Sequence, residues 1–190
     1  MATEAELKLC LDDDARKRVS SLPLIRHYAE GPAVRQRLTS IYYDTPELDL
    51  PGKGLVLRVR RQGGQWIQTV KSAGRARAGL HTRAEFEGTV SSRKPDFDQL
   101  RGERGLRAFA DGALQKRLAP AFETDFWRTS WNLHLPGGEI VEIAMDAGEV
   151  RHGDATAPIC ELELELKRGL PEVLYGVALD IAKQSGCSLK

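Results

Sequence analysis

The 190-residue chain has few cysteines, little net charge and no long apolar run. Its three cysteines, Cys10, Cys160 and Cys187, are an odd number without metal-ligand spacing, which argues against a disulfide framework and a structural zinc site. The 28 Lys and Arg residues nearly balance the 27 Asp and Glu residues, so no overall field attracts nucleic acid or an anionic membrane. The apolar runs are too short to cross a bilayer, and no signal peptide is apparent. We therefore expect a soluble, cytoplasmic, globular protein, with neither a membrane nor a specific nucleic acid sequence among its partners.

Alternation of apolar and polar residues with period 2 dominates the sequence and predicts an antiparallel sheet. It runs through segments 4–9, 55–60, 66–71, 83–88, 126–133, 140–146 and 161–167. Glycine and proline at 62–65 and 135–139 predict tight hairpins between neighbouring strands. Because no linker or repeat interrupts the pattern, we expect one domain over residues 1–190.

Helical patterns are fewer than strand patterns. They lie at 12–22, at 95–118, where one or two helices are expected, and at 171–185. The fold class is therefore α+β, with the antiparallel sheet in the majority.

The charged residues that alternate are sorted by sign along each predicted strand. Glu161, Glu163 and Glu165 share one face at steps of about 6.7 Å, while leucines occupy the other face. The other acidic rows are Glu4 with Glu6 and Glu85 with Glu87, and the basic positions are Arg58, Arg60, Lys71 and Arg128. Any one of these rows, taken alone, is explained as the solvent-exposed face of a strand. Several rows on one face, each of a single sign, instead indicate that this face binds both cations and anions.

Acidic and basic rows on one inner surface would form a metal-dependent polyphosphate site. Carboxylate oxygens are hard ligands for Mg²⁺ or Mn²⁺, and Arg and Lys donate to phosphate oxygens. Several strands can converge on one ligand if the sheet closes, and a barrel of about eight strands holds one small ligand. The helices would then cover the apolar outer face, with Trp66, Trp127 and Trp131 packed beneath them.

The ordered set of these segments resembles the CYTH domains, the triphosphate tunnel metalloenzymes, over essentially the whole chain. Segment 4–8 (EAELK) resembles their ExExK signature. The other matching segments are 41–46 (IYYDTP), 57–60 (LRVR), 69–71 (TVK), 85–87 (EFE), 125–128 (DFWR), 143–146 (IAMD) and 161–165 (ELELE). Segments 79–83 (GLHTR) and 158–166 (PICELELEL) further resemble bacterial inorganic triphosphatases, in which a CYTH domain precedes a helical CHAD domain.

The resemblance implies an eight-stranded antiparallel β-barrel with flanking helices and a hydrophilic lumen. It also assigns roles to the charged rows. The implied metal ligands are Glu4, Glu6, Glu163 and Glu165, with Glu161 as a register alternative and Asp146 assisting. The implied triphosphate donors are Lys8, Arg58, Arg60, Lys71 and Arg128, with Glu85 and Glu87 also in the lumen, and Glu4, Glu6 and Lys8 are the implied catalytic residues.

The activity implied by the resemblance is Mg²⁺- or Mn²⁺-dependent hydrolysis of inorganic triphosphate to pyrophosphate and phosphate. A class IV adenylyl cyclase acting on ATP and a non-catalytic polyphosphate-binding module are the alternatives, so inorganic triphosphate, nucleoside triphosphates and polyphosphate are the expected partners. The family usually places a basic residue and a tyrosine after the last helix. Either Lys190 takes the place of that basic residue, or the chain is truncated before a C-terminal CHAD domain.

Overall fold

The computed structural model describes residues 2–77, 79–103 and 105–189, and its antiparallel sheet closes on itself as a barrel. The strands are β1 Ala2–Cys10, β2 Val34–Asp44, β3 Leu55–Gln62, β4 Gln65–Ser72, β5 Arg75–Arg77, β6 Leu80–Val90, β7 Ala119–His134, β8 Ile140–His152, β9 Ala155–Arg168 and β10 Ser188–Leu189. Eight of them form the wall in the order β1-β9-β8-β7-β2-β3-β4-β6, and pairing of β1 with β6 closes it. The short strands β5 and β10 pair with β6 and β1. The predicted closed eight-stranded barrel with flanking helices is confirmed.

The helices lie between strands on the outside of the wall, except for α3, whose Leu50 and Pro51 line the interior of the barrel. They are α1 Asp13–Val19, α2 Pro23–Tyr28, α3 Asp49–Gly52, α4 Phe97–Arg101, α5 Gly112–Arg117 and α6 Val173–Ser185, with a 3-10 turn at Arg107–Ala110. Among the residues that the structure describes, no helix is both long and apolar enough to span a bilayer.

The first hairpin is explained by its turn residues. Gln62 pairs with Gln65, so that Gly63 and Gly64 alone form the turn. Both glycines have positive φ, 55° and 91°. A two-residue turn of this kind matches the twist of the flanking strands and requires residues that tolerate positive φ, which glycine does.

The hydrophobic core lies outside the barrel, between the wall and the helices. One cluster joins the outer faces of β1, β7, β8 and β9 to α1, α2 and α6, with Leu7 and Leu164 fully buried in it. A second cluster joins β2, β3 and β4 to the 95–118 region, with Leu57 and Phe109 fully buried. Burial of each such side chain contributes about 1.5–3 kcal/mol. The alternating leucines therefore hold the helices on the wall and leave the inner face to the charged residues.

The structure confirms the predicted helical regions, shortens the first of them and corrects the placement of one tryptophan. The helix predicted at 12–22 is α1, which ends at Val19; the following helix α2 was not predicted and begins at Pro23, after Leu22 in an extended conformation (ψ 134°). The region 95–118 divides into α4, the 3-10 turn and α5, with Gly105 at φ 100° between the first two. Trp66 and Trp131 pack as predicted, but Trp127 is 44% exposed and lies under the guanidinium of Arg35 instead of a helix.

The strand β2 was not among the seven alternating segments. Its first half lines the lumen with both polar Gln36 and apolar Leu38, while Arg35 and Arg37 alternate with them on the other face. Its register against β7 also shifts between Tyr42 and Tyr43. The mixed inner face and this irregularity together obscure the period-2 pattern.

We expect Phe109→Ala to lower the free energy of unfolding by about 3–5 kcal/mol, because the ring is fully buried between α4, the 3-10 turn and the wall. Urea unfolding followed by circular dichroism measures this change. Leu179→Ala, at an exposed position of α6, is the matched control and should change stability by less than about 0.5 kcal/mol. Equal unfolding midpoints for the two variants would contradict the second core cluster.

Candidate functional site

Charged side chains line the inside of the barrel, in a cavity of about 990 Å³ that we call the lumen. Strand alternation places them there, because Leu162 and Leu164 are fully buried in the outer core while their neighbours Glu161 and Glu163 point inward. Among the described residues that line the lumen, carboxylates outnumber Lys and Arg side chains by ten to seven. Opposite charges from different strands therefore share one enclosed space.

Every residue predicted from the sequence for the site lines this lumen. These residues are Glu4, Glu6, Lys8, Arg58, Arg60, Lys71, Glu85, Glu87, Arg128, Asp146, Glu161, Glu163 and Glu165. Their individual roles stay predictions. Lys190, which was expected near one end of the tunnel, lies outside the described residues.

Three carboxylates of the lumen come together in a group that we call the acidic triad: Asp146, Glu161 and Glu163. One ligand oxygen from each lies within 4.8 Å of the others. The sheet register causes this proximity, because Asp146 on β8 pairs directly with Glu161 on β9 and Glu163 follows on the same face. Three converging carboxylate oxygens are the donor set that Mg²⁺ and Mn²⁺ prefer. The triad therefore fits a divalent cation.

Two basic side chains hold the triad in place. Arg128 donates to both oxygens of Asp146, at 2.8 Å from Nε and 2.6 Å from Nη2, and also contacts Glu163. Lys8 donates to Glu163 and, at 3.3 Å, to Glu161. Each carboxylate thus has a cationic partner, and a phosphate oxygen would compete with it for that partner.

The two strongly paired carboxylates of the triad differ in proton affinity. Burial raises the pKa of Asp146 to about 6, even though Arg128 opposes the shift. Burial also disfavours ionisation of Glu163, but the charges of Arg128 and Lys8 outweigh it and hold the pKa of that carboxyl well below its usual range. Glu163 is therefore ionised at neutral pH, where it can hold a cation.

The acids of β1 form a second cluster with different partners. Glu4 accepts hydrogen bonds from Lys71 at 2.7 and 3.0 Å and from Arg83 at 3.4 Å. Glu6, which is buried, also pairs with Arg83. Burial, together with the charges of Glu163 and Glu4, raises the pKa of Glu6. The two acids are thus paired with Lys71 and Arg83. They do not belong to the acidic triad.

Glu165, the remaining acid of β9, is directly opposite Glu6 in the sheet. Its carboxylate lies 2.7 Å from the Lys167 ammonium. Among the described residues, the carboxylates close enough to share one ion are those of the acidic triad. Glu165 and the two acids of β1 are not part of that group.

The basic row of β3 faces the acids of β6. The guanidinium of Arg58 lies 3.9 Å from Glu85, and that of Arg60 lies 3.4 Å from Glu87. Within the described part of the chain, the Nε atoms of Arg58 and Arg60 are buried and have no hydrogen-bond partner. Buried donors are normally paired, so these atoms suit an anionic acceptor in the lumen.

The sequence analysis missed Arg83, which contacts both acids of β1. The signal was present, because Arg83 begins the alternating segment 83–88 and shares a face with Glu85 and Glu87. It also missed His81, one lumen-facing position earlier on β6. Alternation along β6 therefore extends the lumen-facing row from its two acids to the neighbouring base.

Comparison with known proteins gives a family and a fold. The CYTH domain family matches residues 2–186. The inorganic triphosphatase of Haemophilus influenzae is 31% identical over 179 residues, which are 92% of this chain and 48% of that protein. The chain thus spans about half the length of this curated relative.

Solved structures show the same fold at low sequence identity. A candidate adenylyl cyclase from Hippeastrum with a dominant triphosphatase activity superposes with a TM-score of 0.62 at 18% identity, covering 98% of this chain and 90% of that one. A candidate adenylate cyclase of Bacillus halodurans gives 0.61 at 18% identity, covering 100% and 94%. At these identities the likeness concerns the fold alone.

We expect Asp146→Asn to weaken Mn²⁺ binding by about tenfold or more, because the triad loses one of its charged oxygen donors. Titration calorimetry without any triphosphate measures the dissociation constant. Glu149→Gln, at a half-buried position of the same strand that is not among the lumen-lining residues described, is the control and should bind as the unaltered chain does. Equal Mn²⁺ affinity in Asp146→Asn, or no saturable binding to the unaltered chain, would contradict the assignment of the triad.

Proposed function

Because the chain belongs to the CYTH domain family, we propose that it hydrolyses inorganic triphosphate to pyrophosphate and phosphate with the help of a divalent metal ion. The observation that most supports this proposal is the enclosed lumen, in which an acidic triad fit for a cation lies among basic side chains. The resemblance of the whole chain to an inorganic triphosphatase agrees with it.

Asp146, Glu161 and Glu163 would hold Mg²⁺ or Mn²⁺, which when bound neutralises charge on the phosphate oxygens. The charge balance of the lumen supports such a cation. Carboxylates already outnumber the Lys and Arg side chains among the described lining residues, so a polyanion would enter an environment with a net negative charge. Glu4, Glu6 and Glu165 stay predicted ligands, either for this ion or for a second one.

Basic side chains from four strands would bind the triphosphate and hold it in line. These are Lys8 on β1, Arg58 and Arg60 on β3, Lys71 on β4 and Arg128 on β7. Arg can grip two phosphate oxygens at once, and the unpartnered Nε atoms of Arg58 and Arg60 are available for this. The protein would thus contribute position and electrostatic stabilisation, and no covalent intermediate is needed.

Glu6 is the carboxylate that we propose to orient the attacking water. Its raised pKa makes it a better proton acceptor than an ordinary glutamate, and Arg83 fixes its position. The water oxygen would form a bond to the terminal phosphorus as its proton passes to Glu6. The bond to the bridging oxygen would break, and pyrophosphate would leave.

One assay separates this proposal from the two alternatives. Phosphate release is measured with inorganic triphosphate, ATP and polyphosphate, each with Mg²⁺ and with Mn²⁺, and the ATP samples are also tested for cyclic AMP. Release from inorganic triphosphate without cyclic AMP supports the hydrolase. Formation of cyclic AMP would favour the cyclase, and tight binding without phosphate release would favour a polyphosphate-binding module.

We expect Lys8→Ala to reduce the rate of inorganic triphosphate hydrolysis by about 10²-fold or more, because a charged donor is removed from the centre of the lumen. Steady-state phosphate release measures the rate. Lys17→Ala, which removes an exposed ammonium from α1, serves as the matched control.

Glu6→Gln should abolish the hydrolysis of inorganic triphosphate, since the amide cannot take a proton from water. Circular dichroism must show that both lumen variants keep the native spectrum. A folded Lys8→Ala or Glu6→Gln variant with an unchanged rate would overturn the proposed catalytic arrangement.

A further inference from the structure

One buried hydroxyl group in the lumen has no hydrogen-bond partner. Within the described part of the chain, three buried side-chain polar atoms lack such a partner: Nε of Arg58, Nε of Arg60 and Oγ1 of Thr124. All three residues line the lumen. The two arginines are predicted phosphate donors, whereas Thr124 is not among the predicted site residues. Thr124 is only 8% exposed, so bulk solvent does not replace the missing partner.

The hydroxyl of Thr124 destabilises the protein when no ligand is bound. A buried hydroxyl without a hydrogen bond carries a desolvation penalty, and an apolar group of the same shape avoids it. Valine has nearly the same shape as threonine and is equally suited to a strand. Among the described residues, no hydrogen bond within the protein accounts for a polar atom at this position. The hydroxyl therefore fits a partner that the protein itself does not supply.

The sheet register brings the three unpartnered atoms onto neighbouring strands. Thr124 on β7 pairs with Ser40 on β2, and Ser40 pairs with Arg60 on β3. Arg58 is the preceding lumen-facing residue of β3. Adjacent strands lie about 4.8 Å apart, so the Cα atoms of Thr124 and Arg60 are separated by roughly 10 Å. We call the three unpartnered atoms the donor group.

The donor group suits an anion. A guanidinium N–H donates and never accepts, and a hydroxyl can turn its hydrogen towards an acceptor. Burial and the nearby charge of Arg58 lower the pKa of Arg60, so the two guanidinium groups are incompletely neutralised. Glu87, the carboxylate that they share, lies 3.4 Å from Arg60 and 4.0 Å from Arg58. A phosphate group carries negative charge and several acceptor oxygens, and it can therefore satisfy all three donors.

The donor group is separated from the acidic triad along β7. Arg128, four residues beyond Thr124, pairs directly with Asp146 of the triad. Four residues of a strand span about 13 Å. A phosphate at the donor group is therefore a different one from a phosphate that contacts a cation at the triad.

We propose that Thr124 is a further substrate-binding residue, whose hydroxyl donates a hydrogen bond to a phosphate group of the triphosphate that lies away from the metal ion. The Nε atoms of Arg58 and Arg60 donate to the same phosphate. This inference rests on the proposed function, because it needs the lumen to hold a triphosphate. Since the donor group contains no carboxylate, binding of a phosphate there needs no divalent ion.

The test removes the hydroxyl and keeps the shape of the side chain. Thr124→Val should raise KM for inorganic triphosphate by about tenfold and leave kcat unchanged, because a hydrogen bond to a charged group is lost from a phosphate that is not transferred. Thr124→Ser keeps a hydroxyl and should retain the KM of the unaltered chain. Thr129→Val, at a half-buried position of the same strand outside the described lumen lining, is the matched control. Steady-state phosphate release measures both constants.

A stability measurement distinguishes substrate binding from a structural role of the hydroxyl. Without ligand, Thr124→Val should unfold at the same or a higher urea concentration than the unaltered chain, because it removes an unpaired buried hydroxyl. A lower midpoint would show that the hydroxyl supports the fold, and it would overturn the proposal. A KM in Thr124→Ser as high as that in Thr124→Val would overturn it as well.

The outcomes also separate Thr124 from the proposed function. Hydrolysis of inorganic triphosphate with an unchanged KM in Thr124→Val would overturn the role of Thr124 and leave the hydrolase intact. If the unaltered chain releases no phosphate from any triphosphate, the proposed function fails. Calorimetric titration of pyrophosphate without a divalent metal then tests the donor group by itself. Thr124→Val must bind pyrophosphate about tenfold more weakly than the unaltered chain does, and equal affinity or no binding to either would overturn the proposal.

Discussion

Lys8 and Arg128 reach the Glu163 carboxylate from two different strands, and Arg128 continues to Asp146. Desolvation of a single charge costs several kcal/mol, and a close, hydrogen-bonded partner of opposite sign offsets much of that cost. A barrel lined by charges of one sign could not meet this condition. The mixture of acids and bases is therefore what permits a hydrophilic interior in a closed barrel. The same pairing gives each carboxylate of the acidic triad a cationic partner that a metal ion or a phosphate can compete with.

The two faces of each strand have different roles: the outer face packs in the hydrophobic core, and the inner face carries the charged residues of the site. The outer face of β9 contributes Leu162 and Leu164 to the core, while the inner face contributes Glu161 and Glu163 to the acidic triad. A shift of register by one residue would bury the acids under helices and expose the leucines to the lumen. The hydrophobic packing of α1, α2 and α6 thus fixes the positions of groups that the helices never contact.

Much of this arrangement follows from local sequence. Segment 161–167 alone predicts a strand, its buried face and its acidic face, and the Gly63-Gly64 pair predicts a hairpin that the structure confirms. The features that could not be predicted depend on neighbours remote in sequence. The exposure of Trp127 depends on where the helices end, and the contacts of Arg83 with Glu4 and Glu6 depend on the pairing of β1 with β6. The expected CHAD domain stays a prediction.

Closure of the wall by β1 has a consequence for how the chain folds. Ala2–Cys10 pairs with β6 on one side and with β9, which ends at Arg168, on the other. Pairings between segments so distant in sequence form slowly, because a long loop must close before any contact is gained. During translation one edge of β1 therefore stays unpaired until β9 has been made. An unpaired strand edge is a template for aggregation, so the closed order of the wall protects β1 only once both of its pairings have formed.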